Sequence, residues 1–143
     1  MKESRRSFRR TLYQITVIAL VLSSGLAMAE SPMPGDVRSA KTIYLQNETG
    51  NEKVLAAATD QFTRWGRFAI SKSKDDADLI IVFTHKMGMD KWGNVGITEM
   101  DVFVKGHNEP AFIAKDALKL ITDRQHPTKA CINNFRKRLE AKN

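Results

Sequence analysis

Residues 79–83 read Leu-Ile-Ile-Val-Phe, and the acidic segment Asp-Asp-Ala-Asp at 75–78 comes directly before them. An apolar run that is this short and this rich in β-branched side chains predicts a strand in the middle of a sheet, covered on both faces. The charged segment before it predicts a solvated turn. The remaining elements are therefore expected to pair with this strand or to pack against it.

Periodicity on both sides of this strand predicts four more strands and two helices. In chain order, the predicted elements are strand 42–45, helix 52–65, strand 67–71, strand 79–83, strand 97–104, strand 111–114 and a closing helix that begins near Pro127. In the first helix, Phe62 and Trp65 share the apolar face, and Gly66 stands where a left-handed C-terminal cap falls. The order β-α-β-β-β-β-α predicts an α/β fold of the α+β type, with a mixed four- to five-stranded sheet and the helices on one face.

The N-terminal segment has the three-part layout of an export signal. A positively charged segment, residues 1–10, precedes an apolar segment, residues 11–25, and Ala27 and Ala29 form a small-x-small cleavage site. The chain is therefore divided into a signal peptide, 1–29, a flexible leader with two prolines and a glycine, 30–40, and a single domain, 41–143. The expected location is the periplasm or the outside of the cell, with no stable membrane anchor after cleavage.

Residues 4–10, Ser-Arg-Arg-Ser-Phe-Arg-Arg, resemble the twin-arginine export signal, in which Ser or Thr, two arginines, any residue and Phe are followed by an apolar residue. Arg5, Arg6 and Phe8 match that pattern, whereas the charged residue after Phe8 departs from it. The resemblance implies export of the folded domain through transient contact with the export machinery. Two alternatives remain open: a general secretory signal with incidental arginines, and an uncleaved anchor, which the polar residues of the apolar segment disfavour.

Much of the positive charge of the chain belongs to the signal. The full sequence has 23 Lys and Arg against 16 Asp and Glu, a formal net charge of +7. Residues 30–143 keep 18 basic and 15 acidic residues, a net charge of +3 with both signs interspersed. A nucleic-acid partner is therefore not expected. The single cysteine, Cys131, excludes an intrachain disulfide, so a packed core has to stabilise the domain.

No group of residues in the sequence matches a catalytic, cofactor or metal motif. His85, His107 and His126 are far apart, and none has a Cys or a second His at metal-ligand spacing. The acidic segment 75–78 lacks the glycine and the distal Glu of a calcium loop. The histidines are therefore interpreted as surface or turn residues, and no metal or cofactor is expected.

Glu99, Asp101 and Cys131 have side chains that could act in catalysis, the two carboxyls as acid and base and the thiol as a nucleophile. Glu99 and Asp101 share one face of a predicted strand, and alternation places them toward solvent with nothing to perturb the pKa of either carboxyl. Cys131 is in register with Phe135 and Leu139 on the closing helix, which predicts a small core residue rather than a nucleophile.

The segment from Lys86 to Asn94 is a candidate contact surface. Glycines surround Trp92 and predict a loose connection, which also contains the apolar residues Met87 and Met89. Because a soluble monomer gains little by exposing large apolar side chains, Met87, Met89 and Trp92 are candidate partner contacts. The alternative is that these side chains fold back over the sheet.

The succession of a strand, a helix ending in Arg-Trp-Gly-Arg-Phe at 64–68, the segment 75–83, a hairpin and a terminal helix is similar to small bacterial envelope domains. These are the domains of curli-secretion-type and penicillin-binding-protein-activator lipoproteins, the N-terminal domain of the Tol translocation protein, and uncharacterised secreted proteins. In them Ala-Asp before an apolar run enters a central strand, as Ala77-Asp78 does here. The resemblance covers about residues 41–140. It implies a non-enzymatic envelope interaction module and supplies no catalytic residues.

The expected function is therefore the binding of another protein or an envelope component by an exported, non-catalytic domain. The competing class is a small hydrolase or ligand-binding enzyme whose site is assembled from residues such as Asp101, His107 and Glu109. An enzyme requires a concave pocket with converging polar groups. A binding module instead offers a flat or convex face with Trp92 exposed, or an open sheet edge.

Overall fold

A computed structural model of the chain describes residues 32–90, 93–117 and 126–141. In chain order, its elements are α1 (Gly35–Ser39), β1 (Thr42–Asn47), α2 (Glu52–Trp65), β2 (Ala69–Ile70), a 3₁₀ turn (Lys74–Asp76), β3 (Leu79–Asp90), β4 (Gly93–Val104), β5 (Pro110–Ala117) and α3 (Pro127–Glu140). The strands form a mixed five-stranded sheet in the order β2-β1-β3-β4-β5. The predicted fold class is confirmed.

The sheet has a parallel half and an antiparallel half. Strand β1 runs parallel to both β2 and β3, and in its pairing with β3, Ile43 faces Leu79 and Asn47 faces Phe83. Strands β3, β4 and β5 follow one another as antiparallel neighbours. Helix α2 makes the connection from β1 to the parallel strand β2, because parallel neighbours cannot be joined by a tight turn.

One face of the sheet and the helices enclose the hydrophobic core. Alternate strand residues point into it: Ile43, Leu45, Leu79, Ile81, Phe83, Met100, Val102 and Ala114. The two long helices contribute Val54, Ala58, Phe62, Cys131, Ile132, Phe135 and Leu139. A period of two in the strands and of 3.6 in the helices predicts these faces, since side chains alternate across a strand and recur at every third or fourth position of a helix.

Helix α2 begins and ends where its sequence predicts. The Asn51 side chain accepts a hydrogen bond from the backbone N–H of Lys53 and caps the N-terminus. Gly66 has a φ of 68°, in the left-handed region, and its N–H donates to the Phe62 carbonyl. Phe62 is fully buried, and its ring stacks on that of Trp65 with the centroids 6.0 Å apart.

The second face of the sheet has no helix of the described residues packed on it. Alternation and register assign to this face Tyr44, Gln46, Ile80, Val82, Thr84, Lys86, Ile97, Glu99, Asp101, Phe103, Ile113 and Lys115. Ile80 and Glu99 on this face are nevertheless only 9% and 4% exposed. The coverage of strand 79–83 on its second face therefore stays a prediction.

Residues 32–40 differ from the predicted flexible leader. Helix α1 lies within them, and Met33, Val37 and Ala40 are at most 5% exposed and belong to the core. A helix of five residues is too short to show a hydrophobic period, and the neighbouring prolines and glycine are typical of loops. The packed domain therefore begins with this segment.

The connection predicted as loose, around Gly88, Gly93 and Gly96, is a β-hairpin. Strands β3 and β4 pair along their full lengths on either side of it. Gly88 and Gly96 lie inside this ladder, and a Cβ atom on Gly88 would collide with the Ile97 side chain. The prediction is wrong because glycine within a strand also marks the close approach of a neighbouring side chain, and not only flexibility.

Candidate functional site

The end of the β3–β4 hairpin extends beyond the described residues of the neighbouring strands. Strand β1 pairs with β3 as far as Phe83, and the described part of β5, which ends at Ala117, pairs with β4 as far as Ile97. Within the described residues, 87–90 and 93–96, the hairpin tip, are paired only with each other. At about 3.3 Å per residue, this ribbon is about 13 Å long.

Met87 and Met89 lie on the hairpin tip and are its exposed apolar residues. They are 69% and 82% exposed, the highest values for large apolar side chains in the described part of the chain. Being two positions apart on one strand, they lie on the same face. They do not fold back over the sheet. Trp92, the third predicted contact residue, lies outside the described residues.

His85 lies on the same face of β3 as the two methionines. Gly96 stands directly opposite Met87 in the β3–β4 register. A Cβ atom added to Gly96 would lie 2.9 Å from Cε1 and 3.1 Å from Nε2 of His85, so the imidazole leans over this glycine. In the sequence, His85 is far from the other histidines and has no Cys at metal-ligand spacing. His85, Met87 and Met89 occupy every second position of the sequence. Because β3 extends to Asp90, this spacing places all three side chains on one face of the strand.

A buried carboxylate paired with two lysines lies on the second face of the sheet. Glu99 is 4% exposed and forms ion pairs with Lys86 and, at 2.7 Å, with Lys115. Hydrogen bonds from Lys115 and Lys86 lower the pKa of the Glu99 carboxyl. The expectation of an unperturbed, solvated Glu99 is therefore wrong. The two lysines come from different strands, and their register is not visible in the sequence.

Asp101 has the opposite environment on the same face. Burial, together with the negative charge of Glu99, raises the pKa of the Asp101 carboxyl, so its expected unperturbed state is also wrong. Val82 and Ile113 face Asp101 from the two adjacent strands. Its buried Oδ1 atom has no hydrogen-bond partner within the described structure. Two neighbouring carboxyls whose pKa values are shifted in opposite directions are typical of acid–base pairs in catalysis. Here, however, the lysines hold Glu99 in a structural ion pair.

The residues of the competing enzyme hypothesis are not brought together. Asp101 lies opposite Ile113 in the sheet, three positions before the end of β4. His107 and Glu109 lie in the turn after β4. Three strand positions correspond to about 10 Å. Asp101, His107 and Glu109 therefore do not converge on a common point.

Cys131 is a core residue, as its position on the closing helix predicts. Its side chain is fully buried, and its thiol donates weak hydrogen bonds to the carbonyls of Thr98 at 3.6 Å and Ala114 at 3.7 Å. Burial raises the pKa of the Cys131 thiol to about 12. Since the thiolate is the nucleophile and the metal ligand, Cys131 is inert near neutral pH.

The acidic segment 75–78 forms a turn, as predicted, and connects two strands. The Asp78 carboxylate accepts hydrogen bonds from the backbone N–H groups of Lys41 at 2.8 Å and Thr42 at 2.9 Å, and these bonds lower its pKa. The Lys105 ammonium donates to the carbonyl of Asp75. A shallow depression beside this turn is lined by Asp36, Ser39, Ala40, Lys41, Asp78, Val104 and Lys105. Two of its charged groups, Asp78 and Lys105, already form the hydrogen bonds that stabilise the turn.

The described residues contain neither a cluster of metal ligands of the His, Cys, Asp and Glu type nor a helix that could span a membrane. Across 32–90, 93–117 and 126–141, no three His, Cys, Asp or Glu side chains are grouped closely enough to hold a metal ion. None of the helices in these ranges has the length and apolar character that crossing a bilayer requires.

The predicted signal residues lie outside the described residues. This applies to the recognition residues Arg5, Arg6 and Phe8 and to the cleavage residues Ala27 and Ala29. Export and its route therefore stay predictions from the sequence.

Comparison with known proteins gave weak structural similarity. No protein-family model matches the chain, and no curated protein matches it significantly. Among solved structures, it is similar to a PelC dodecamer from Paraburkholderia phytofirmans, with 13% identity and a TM-score of 0.44 over 79% of this chain and 95% of that one. It is also similar to the uncharacterised lipoprotein B of Nitrosomonas europaea, with 12% identity and a TM-score of 0.35 over 77% of this chain and 83% of that one.

Proposed function

We propose that the chain is an exported, non-catalytic binding domain of the cell envelope, and that it contacts a partner protein through the hairpin tip. One observation carries the contact: Met87 and Met89 are 69% and 82% exposed on a ribbon that extends beyond the described residues of the neighbouring strands. Export is supported by the signal-like sequence of residues 1–29. Trp92, which follows β3 in sequence, is proposed as a third contact residue.

The energetics of the hairpin tip favour a contact surface. Burial of one methionine side chain contributes about 1.5–3 kcal/mol, and this contribution is absent while the side chain remains in solvent. A partner that covers Met87 and Met89 gains this free energy of burial for both side chains. Because the backbone of the ribbon is already hydrogen-bonded, little ordering entropy is lost on binding. The flexible thioether chain also adapts to an irregular partner surface.

Replacement of the exposed methionines tests this proposal. A Met87→Ser/Met89→Ser variant is expected to lose capture of a partner protein by cross-linking in the envelope, while its melting temperature stays close to that of the parent. Leu55→Ser is the matched control, since Leu55 is a large apolar residue 39% exposed on helix α2, away from the hairpin. Unchanged capture by the double variant, or equal loss in the control, would refute the hairpin contact.

A further inference from the structure

We propose that His85, Met87 and Met89 form a binding site for a soft monovalent metal ion, Cu(I) or its redox-inert analogue Ag(I). The three side chains occupy every second position of β3 and therefore lie in one row on one face of the strand. The site is independent of the partner contact proposed above, because it requires the sulfur and nitrogen atoms rather than the apolar area.

The two methionines of this row are unlike the other methionines of the described structure. Met33 and Met100 are 5% and 0% exposed and belong to the core, where their packing explains their presence. Met87 and Met89 have no such role. Alternate positions on a strand are about 7 Å apart, and methionine has three rotatable side-chain bonds. Both thioether sulfurs can therefore reach one ion placed between them.

Because Gly96 has no side chain, the imidazole of His85 can lie beside Met87. It faces Met87 across the ladder, and the position its Cβ would occupy lies 3.1 Å from Nε2 of His85. The ring therefore fills the space that any larger residue at position 96 would take. Its Nε2 atom, one of the two ring nitrogens that can bind a metal, lies at the level of Met87.

The donor set selects the class of ion. The two thioethers are soft ligands, which favour Cu(I), and imidazole also binds copper; all three ligands are uncharged. Calcium and magnesium require oxygen ligands, and zinc sites use Cys, His and carboxylates. The β4 residues opposite this row, Asn94, Gly96 and Thr98, carry no charge. Lys86 lies on the other face of the ribbon by alternation, so no ammonium of this row repels a cation.

Direct titration of the purified full chain tests the site. We expect one Ag(I) ion to bind per chain, and Cu(I) to be retained in competition with a chromogenic chelator, whereas Zn(II) binds at least about 100-fold more weakly. With ¹³C-methyl-labelled methionine, the resonances of Met87 and Met89 should shift on addition of Ag(I), and those of Met33 and Met100 should not. Equal affinity for Zn(II), or unshifted resonances of the exposed methionines, would overturn the proposal.

Variants separate this site from the partner contact. Met87→Leu/Met89→Leu keeps the apolar surface and removes both sulfurs, so it should retain partner capture and weaken Ag(I) binding. His85→Gln and Gly96→Ala, which displaces the ring, should each weaken Ag(I) binding by at least about tenfold, the loss seen when even an outer partner of a metal ligand is removed. His107→Gln is the matched control and should bind as the parent does. Parent-like affinity of the leucine variant and of His85→Gln would show that the row is not a metal site, whatever the result of partner capture.

Discussion

The Lys115 ammonium lies 2.7 Å from the Glu99 carboxylate, and the two residues face each other directly across strands β4 and β5. Lys86 reaches the same carboxylate from β3. Glu99 is buried, whereas both lysines keep more than half of their side-chain surface in solvent. The ion pairs therefore serve mainly the buried carboxylate, and they connect three neighbouring strands through it.

Glu99→Gln is expected to lower the free energy of unfolding at pH 7 by about 1.5–3 kcal/mol, the range for hydrogen bonds to a charged group. The folded pKa of Glu99 lies below its usual value of 4.5. Its stabilisation is therefore complete above that value and is lost as the pH falls through the folded pKa. Urea denaturation of both proteins at neutral and at acidic pH measures this. A difference that does not shrink on acidification would contradict it.

Asp101→Asn is expected to raise, rather than lower, the free energy of unfolding at pH 7. The folded pKa of Asp101 lies above its usual value of 3.8, so the ionised group opposes folding at neutral pH. This penalty disappears as the pH falls through the folded pKa toward the unfolded value. The variant should raise the free energy of unfolding at pH 7 by about 1 kcal/mol, the order of the cost of an unpaired buried polar group. A melting temperature below that of the parent at pH 7 would show that Asp101 has a partner.

Simultaneous replacement of Arg5 and Arg6 by lysine tests the export route. The twin-arginine pathway reads the arginine pair itself, whereas a general secretory signal needs only positive charge. The precursor of the variant should therefore accumulate in the cytoplasm, as measured by cell fractionation. Replacement of Arg9 and Arg10 by lysine is the matched control and should leave export intact. Normal export of the Arg5/Arg6 variant would exclude this route and leave the general secretory signal.

The sequence predicts those helices and strands in which apolar residues recur at regular intervals. The alternation in strand 97–104 correctly places Met100 and Val102 in the core, and the helical spacing from Glu52 to Trp65 correctly places Phe62 there. The extension of β3 to Asp90 is missed because Gly88, Gly93 and Gly96 are typical of a loose connection. Helix α1 is missed because five residues span little more than one helical turn.

The candidate sites depend on register, which a single sequence does not contain. Lys115 can be assigned to Glu99 only when β5 is aligned residue by residue with β4. The same holds for Gly96 opposite Met87, where a shift of one position would turn the glycine to the other face. The exposure of Met87 and Met89, by contrast, agrees with the sequence argument, which rests on the glycines and charged residues around them.

Phe62→Ala is expected to lower the free energy of unfolding by about 3–5 kcal/mol, the usual cost of removing a buried aromatic ring. Phe62 is fully buried, and its ring contacts those of Trp65 and Phe68 at centroid distances of 6.0 and 6.3 Å. Leu55→Ala on the exposed side of the same helix is the control and should cost much less. Equal destabilisation by the two variants, measured by urea denaturation, would mean that the buried face of α2 is assigned wrongly.

Val37→Ala tests whether residues 32–40 are part of the domain. Val37 is fully buried and is the central residue of helix α1, so loss of its two methyl groups leaves a cavity in the core. The free energy of unfolding should fall by about 1–3 kcal/mol. Ser39→Ala, an exposed position of the same helix, should change it by less than about 0.5 kcal/mol. If the segment is instead a flexible leader, both variants will unfold at the urea concentration of the parent, because a side chain without native contacts contributes equally to the folded and unfolded states.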